Sequence, residues 1–521
     1  MLSAFALTAC SDDKVVGDPA KDWDGSSERY ISVDEEGFST YYKPTIGRVG
    51  DPMPFYDKKA GNFKVLYLQE YDNNSTFRFH PYWGVSTTDG AHYQSLGEIL
   101  PIGENDHQQD AALGTGCCYY NEDDGLYYIY YTGHNGNCEN REVIMRATSP
   151  DFKTWTKDNL WTLSGPTYGY SGNDFRDPQI FVADDGLYRM LISTYPSYGG
   201  DPKFAEFKSS DMKTWEHVGQ FNMVWDRMCE CPDVFKMGDW WYLIYSEKHA
   251  AVRRVQYFKG KTLDELKACT AKDAGLWPDS HEGFLDSRGF YAGKTASDGT
   301  NRYIWGWCPT RSGKNNTAVG ANPAEPEWAG NLVMHRLIQH SDGTLTLGEV
   351  QGISNKYNKV QNVKAESLSE GAVAQSDNSF QLTGNANVLF NRLGTCNRIS
   401  FTVKTNGNTD KFGISLVRGS DSKKYYSLVV NPESDNTRKV NFEEEGTEGA
   451  GFIGGIDGYV FNRPADNTYH ITIYTDNSVC VMYINDVACY TNRIYGIQKN
   501  CWSINNYDGA INVSNVEVHQ Y

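Results

Sequence analysis

Positive charge is scarce in this 521-residue chain, where 48 Lys and Arg stand against 66 Asp and Glu for a formal net charge of −18. Phosphate-rich partners need a stripe of clustered cations, and its absence argues against nucleic acid or an anionic membrane surface as a partner. Long apolar runs are also missing, since no segment after the first ten residues reaches the length that spans a bilayer. The twelve cysteines are spread over a chain too large to need disulfide staples, so most are expected to be buried thiols. Vicinal Cys117-Cys118 and the Cys229-x-Cys231 pair lack a second pair, or histidines, at zinc-ligand spacing. No structural metal and no organic cofactor are therefore expected.

Aromatic residues are abundant: 35 Tyr, 23 Phe and 13 Trp suit both β-strands and a surface that faces sugars. The length points to two packed units plus a tail. The first ten residues end in Leu-Thr-Ala-Cys10, followed by Ser11-Asp12-Asp13-Lys14. This resembles a bacterial lipoprotein signal without its basic start, and the resemblance implies cleavage before Cys10 and acylation of its thiol. Acidic residues just after the cysteine resemble the export tag of surface lipoproteins in Gram-negative glycan-degrading bacteria. The expected location is the outer membrane surface, with membrane contact only through lipid on Cys10. Polar, Gly- and Asp-rich residues 11–38 read as a flexible tether.

Five segments share one plan of an acid, an apolar strand, a polar turn and a second apolar strand. The acids are Asp51, Asp110, Asp177, Glu230 and Asp286, at spacings of 59, 67, 53 and 56 residues. A second signature, Ser86-Thr87-Thr88-Asp89, Ser149-Pro150-Asp151 and Ser209-Ser210-Asp211, recurs about once per unit. The expectation is an all-β chain, with a five-bladed β-propeller over 39–350 whose first strands bring their opening residues to one mouth of a central channel. Over 355–521 the pattern becomes short alternating strands separated by Gly, Asn and Asp turns, which reads as a C-terminal β-sandwich.

Cleaving a glycosidic bond needs one carboxylate at the anomeric carbon and one protonated acid at the leaving oxygen. Candidates stand in Gly50-Asp51-Pro52, Arg176-Asp177-Pro178 and Glu230-Cys231-Pro232, where a nearby proline fixes the backbone beside each acid. In that order the three motifs resemble family 32 glycoside hydrolases, the invertases, inulinases and levanases. Further matches are Leu68-Gln69, Tyr82-Trp83-Gly84, Tyr131-Thr132-Gly133-His134, Phe290-Tyr291-Ala292, Trp305-Gly306-Trp307 and Glu327-Trp328-Ala329-Gly330. The resemblance runs from about residue 40 to the end. It implies Asp51 as nucleophile, Glu230 as acid/base with a raised pKa, and Asp177 as transition-state stabiliser, in a reaction that retains anomeric configuration. It also implies Gln69, Trp83, Thr115, Arg176 and Trp307 as substrate contacts. Asp110 reads as an orienting neighbour, Asp286 as a turn residue and His134 as a structural histidine.

Departures from the family pattern are Arg48-Val49-Gly50 in place of Trp-Met-Asn, Met53-Pro54 in place of Asn-Gly, and Gly114-Thr115-Gly116-Cys117 in place of Phe-Ser-Gly-Ser. They remove an amide and an aromatic wall, which opens the expected pocket toward a groove. The leading expectation is a monomeric surface endo-levanase that cuts β-2,6 fructan, with levan preferred to inulin. An exo-acting fructanase or invertase is the alternative, and a non-catalytic fructan-binding lipoprotein is the alternative of another class. An arabinan-cleaving propeller enzyme, which also uses two Asp and one Glu, is a further reading.

Overall fold

A computed structural model describes residues 37–71, 79–222, 228–247, 254–269, 283–310, 328–407, 409–418, 424–443, 458–498 and 500–521. The expected signal segment with Cys10, and the tether as far as residue 36, lie outside these residues. The fold is all-β, an N-terminal β-propeller followed by a C-terminal β-sandwich. The propeller strands come in five consecutive groups. The first holds β1 (Arg48–Asp57), β2 (Asn62–Glu70), β3 (Tyr82–Thr87) and β4 (Gln94–Leu100). The second holds β5 (Ala112–Asn121), β6 (Leu126–His134), β7 (Glu142–Ser149) and β8 (Thr156–Lys157). The third holds β9 (Tyr170–Val182), β10 (Tyr188–Pro196), β11 (Lys203–Ser209) and β12 (Glu216–Asn222). The fourth shows β13 (Cys229–Met237), β14 (Trp240–Glu247) and β15 (Arg254–Gly260), and the fifth β16 (Tyr291–Ser297), β17 (Arg302–Pro309), β18 (Gly330–Gln339) and β19 (Leu345–Gly348).

The recurring Asp turn has a physical basis in each group where it occurs. Asp151 Oδ1 accepts the amides of Lys153 (2.9 Å) and Thr154 (2.8 Å), and Asp211 Oδ1 those of Lys213 (2.7 Å) and Thr214 (2.9 Å). Asp89 Oδ1 does the same for Ala91 and His92. The residue after each Asp takes positive φ: Gly90 at 74°, Phe152 at 62° and Met212 at 59°. For Phe152 and Met212 that strained backbone is offset by burial of the side chain in the apolar core. Identical turns so connect the third strand to the fourth in the first three groups.

Within each group the strands run as an antiparallel meander, and the first strands pack against each other in a cycle: β1 on β5, β5 on β9, β9 on β13, β13 on β16 and β16 on β1. Hydrogen bonding does not keep the groups wholly separate. Val49 of β1 pairs with Gly330 of β18, joining the first and fifth groups into one eight-stranded sheet. Gly330 permits this approach, because a Cβ there would lie 1.7 Å from the Cys308 carbonyl oxygen.

The sandwich packs an eight-stranded sheet on a seven-stranded one, with Phe380, Leu382, Ile399, Phe401, Ile414, Leu428, Trp502 and Ile504 among the buried residues of its core. Its strands Thr468–Asp476, Val479–Ile484 and Ala488–Arg493 supply many of the contacts with the propeller. There Tyr474, Val479, Val481, Tyr483 and Cys489 join the propeller's own apolar cluster. Three polar knots cross the same seam. Asp476 Oδ2 accepts the amides of Ser39 (2.9 Å), Thr40 (2.6 Å) and Tyr41 (2.9 Å). Arg493 donates to the carbonyls of Cys308 (2.9 Å) and Pro309 (3.1 Å) and to Asn331 Oδ1 (2.6 Å). Asp286 accepts the Thr491 amide (2.7 Å) and lies against His335 and Cys489.

Arg493 is 1% exposed. Removing it leaves buried acceptors without their donor and opens a hole between the two units. Arg493→Ala is expected to lower the unfolding free energy by about 3 kcal/mol, read from urea titration followed by tryptophan fluorescence.

Candidate functional site

Every first strand of the five groups carries a β-bulge at a corresponding place. The pairing register slips between Gly50 and Met53 in β1, Gly114 and Gly116 in β5, and Glu230 and Asp233 in β13. It slips between Tyr291 and Lys294 in β16, and in β9 opposite the step from Leu191 to Ser193. A bulge places extra residues against one partner and re-aims their side chains. Asp177, Cys231 and Ala292 are thereby held at φ of 61°, 53° and 56°, in the left-handed region. Pro52, Pro178 and Pro232 fall inside three of the bulges, where a missing N–H breaks no ladder bond.

The bulges deliver Asp51, Thr115, Asp177, Glu230 and Tyr291 to one open cavity of about 690 Å³. Asp51 is held by two donors: the Thr115 hydroxyl reaches Oδ2 at 2.6 Å and the Trp307 indole N–H reaches Oδ1 at 2.9 Å. Glu230 Oε2 accepts the Tyr291 hydroxyl at 3.0 Å, and Oε1 lies 3.3 Å from Arg176 Nη2. Asp177 Oδ2 accepts the Cys231 amide at 2.9 Å, and the Asp177 amide donates to Thr132 Oγ1 at 3.0 Å. The hydrogen-bonded pairs Asp51–Trp307 and Glu230–Tyr291 meet where the Trp307 and Tyr291 rings pack at 5.3 Å between centroids. The cavity therefore joins three carboxylates to fixed O–H and N–H donors, which is the equipment for acid, base and nucleophilic work at one bond.

Burial is the main cause that pushes the Asp177 carboxyl above the ordinary range, with Glu230 and Asp51 adding and Arg176 opposing. Burial alone would lower the Arg176 guanidinium, but Glu230, Glu142 and Asp177 outweigh it and hold it well above the usual value. The Cys231 thiol is likewise pushed well up, first by burial and then by Asp51 and Asp177, so it stays protonated and inert.

The five acids in sequence register are not the five residues in spatial register. Asp110 and Asp286 are absent from the cavity lining, and Thr115 and Tyr291, five positions later in each case, stand where they were expected. Asp110 pairs with Lys157 and accepts from Tyr131, while Asp286, at a bend that leads into a turn, is also the fully buried centre of the knot with Thr491, His335 and Cys489. The Asp286 carboxylate, the His335 ring and the Cys489 thiol lie within 4.8 Å of one another, and each has a hydrogen-bonding neighbour that accounts for it. Gln69 also misses the cavity: its amide donates to the Ile46 carbonyl at 2.6 Å. Trp83 packs against the propeller core instead of lining the cavity. Arg176 and Thr115 line it, and Trp307 touches it through Asp51.

Sequence reasoning missed several cavity residues. His134, read as structural, lines the cavity with its ring 3.4 Å from Glu142. Glu142, Arg141, Asp174, Phe79 and His80 line it too, and none belongs to a motif singled out for chemistry. Trp328 was visible only as part of a matching tetrapeptide. Its ring lies on Gly50, where a Cβ would come within 2.1 Å of the indole. That contact explains why Gly50 stands beside Asp51 in place of a larger residue.

Asp177 makes a prediction with a definite sign. Because its native pKa is raised, its contribution to stability is complete below the ordinary aspartate range and is lost as pH climbs from there through the native value. Asp177→Asn stays neutral and can still accept from the Cys231 amide. It is expected to be more stable than the wild type near neutral pH, on the order of 1–2 kcal/mol, and equal to it below about pH 3, read from thermal unfolding across pH.

Comparison with known proteins agrees with this fold. The model of the "Glycosyl hydrolases family 32 N-terminal domain" matches residues 42–348, and that of the "GH32, BT1760-like, C-terminal domain" matches residues 343–518. Sucrose-6-phosphate hydrolase of Escherichia coli is 23% identical over 476 residues, covering 87% of this chain and 88% of that protein. Raffinose invertase of Escherichia coli is 26% identical, over 61% of this chain and 65% of its own. Among solved structures, sucrose-6-phosphate hydrolase from Lactobacillus gasseri superposes with a TM-score of 0.67 at 17% identity, covering 95% of this chain and 98% of its own. Fructan 1-exohydrolase IIa from Cichorium intybus, in complex with 1-kestose, gives a TM-score of 0.69 at 15% identity over 95% and 98%. The matching domains cover the propeller and the sandwich alike, and the chain belongs to glycosyl hydrolase family 32.

Proposed function

We propose that this glycoside hydrolase cleaves β-linked fructans with retention of configuration, as an endo-levanase held at the outer membrane surface by lipid on Cys10. The observation that carries the catalytic reading is the convergence of Asp51, Asp177 and Glu230 on one cavity. Asp51 is the nucleophile. Thr115 and Trp307 each donate to one of its oxygens, which fixes the carboxylate plane for attack on the anomeric carbon. Glu230 gives its proton to the departing oxygen as the fructosyl–Asp51 ester forms. It then takes a proton from the water that opens the ester, which returns both carboxylates to their starting state. Asp177 holds fructose hydroxyls beside the reacting carbon. The Tyr291 hydroxyl orients Glu230 through its Oε2, leaving the other oxygen to Arg176.

The endo and levan assignments rest on what replaces the family's pocket walls. Gly114 is small where the resemblance leads one to expect an aromatic, and the cavity continues past the carboxylates to Phe79, His80, Arg141 and Trp328. Room beyond the cleaved bond suits a chain interior. The lipobox supports placement at the cell surface, where oligomers can be cut before import. Exo action is the second reading, favoured by the relatives, which by name are a sucrose-6-phosphate hydrolase, an invertase and a fructan 1-exohydrolase.

Levan, inulin and sucrose digested side by side, with the products sized, test the assignment. Early oligofructose ladders from levan are expected, whereas free fructose alone would establish the exo reading. Glu230→Gln is expected to lose about a thousandfold or more in kcat on levan while still binding it. Binding without turnover on any fructan in the unaltered protein would leave only a non-catalytic binder.

A further inference from the structure

Arg176 is shared among three carboxylates. Its Nη2 lies 3.3 Å from Glu230 Oε1, while Nη1 donates to Glu142 Oε2 at 2.9 Å, Glu142 Oε1 at 3.1 Å and Asp174 Oδ1 at 3.1 Å. Glu142 does more than pair with the guanidinium. Its Oε2 also accepts the Phe175 amide at 2.9 Å, so one carboxylate fixes both the side chain of Arg176 and the backbone that precedes it. Glu142 opens β7, away from every bulge, and its side chain is 6% exposed. Burial opposes its ionisation, but the His134 bond, the Arg176 charge and the Phe175 amide prevail and hold it below the ordinary glutamate range. It is thus an anion at neutral pH.

A guanidinium this close to a proton donor has a chemical consequence. Alone, its charge would stabilise ionised Glu230 and draw off the proton that the leaving group needs. A second buried carboxylate on the same guanidinium takes up much of that charge. We infer that Glu142 is a positioning residue for proton donation, holding Arg176 beside Glu230 while neutralising it, so that Glu230 keeps its proton into the working pH range. This rests on the assignment of Glu230 as acid/base. Among the described residues, the groups facing Glu230 include Asp177 on β9, Tyr291 on β16, Asp51 on β1 and the adjoining Cys231 thiol. Those facing Glu142 are His134 on β6, Arg176 and Asp174 on β9, and neighbouring Arg141, which itself pairs with Asp174 at 3.5 Å.

The test is the pH profile of kcat/KM on levan for Glu142→Gln, an isosteric change that removes the charge. The alkaline limb is expected to move down by roughly 0.5–1 pH unit, with KM and the acid-side kcat within a few fold of wild type. Glu142→Asp, which keeps the charge, is expected to return the limb toward its original position. Asp174→Asn, altering the more exposed partner of Arg176, should move the limb in the same direction by less, and it serves if Glu142→Gln does not fold. An unmoved limb, whether activity is unchanged or uniformly reduced at all pH values, overturns the inference. Glu230→Gln run in parallel separates the two claims, because an alkaline limb that survives in that variant refutes the acid/base assignment itself.

Discussion

The repeated bulge in the first strand of each group is the constraint on which the site depends. A regular strand alternates its side chains between the two faces of its sheet, so neither face of a blade would point its residues down the central axis. One extra residue at the same depth breaks that alternation and turns a side chain inward. The backbone is strained where Asp177, Cys231 and Ala292 take positive φ, and buried packing on both sides of each strand holds it there. The architecture therefore offers five equivalent inward positions, which the sequence fills with Asp, Thr, Asp, Glu and Tyr. Chemistry comes from the choice at each position, and geometry from the repeat.

Gathering carboxylates in this way is electrostatically expensive, and the surroundings show how it is managed. Asp51 receives O–H and N–H donors, Glu230 a phenol, and Asp177 a backbone amide. Arg176 brings full positive charge and is itself tied to Glu142 and Asp174. The three acids thus occupy different environments, one held by neutral donors, one beside a shared cation and one buried deeply enough to shift upward. Such differences let carboxylates with the same intrinsic acidity take different parts in one reaction.

Much of this was legible in the sequence. A proline one or two places after an acid marked three of the bulges, and the Ser-x-Asp turns marked the group period. Asp110 and Asp286 misled because acids also favour turns and buried polar knots, and nothing local separates those uses. Thr115 was found only through its place in a matching motif, and Tyr291 belonged to a motif read as mere similarity. Neither carries a proline signal, and an inward tyrosine looks like any core aromatic. Glu142, His134 and Arg141 escaped because they sit on second and third strands and in a loop, reaching the cavity through packing between groups. Gly50 was seen as a loss, whereas Trp328, far along the chain, lies over it. Contacts of that range leave no periodic trace.

The clasp between Asp476 and the amides of Ser39, Thr40 and Tyr41 spans 435 residues or more. On a ribosome the entry to β1 is made first, and the carboxylate that fastens it emerges near the end of synthesis. The bond from the Leu332 amide to the Tyr42 carbonyl, and the pairing of β1 with β18, come earlier, once the fifth group is made. The early blades can form, and β1 can pair with β18, while the chain is still being made, but residues 39–41 lack this fastening until the sandwich exists. Biogenesis therefore ends with a latch, and a chain cut short before residue 476 would leave the segment that leads into its first strand without that anchor.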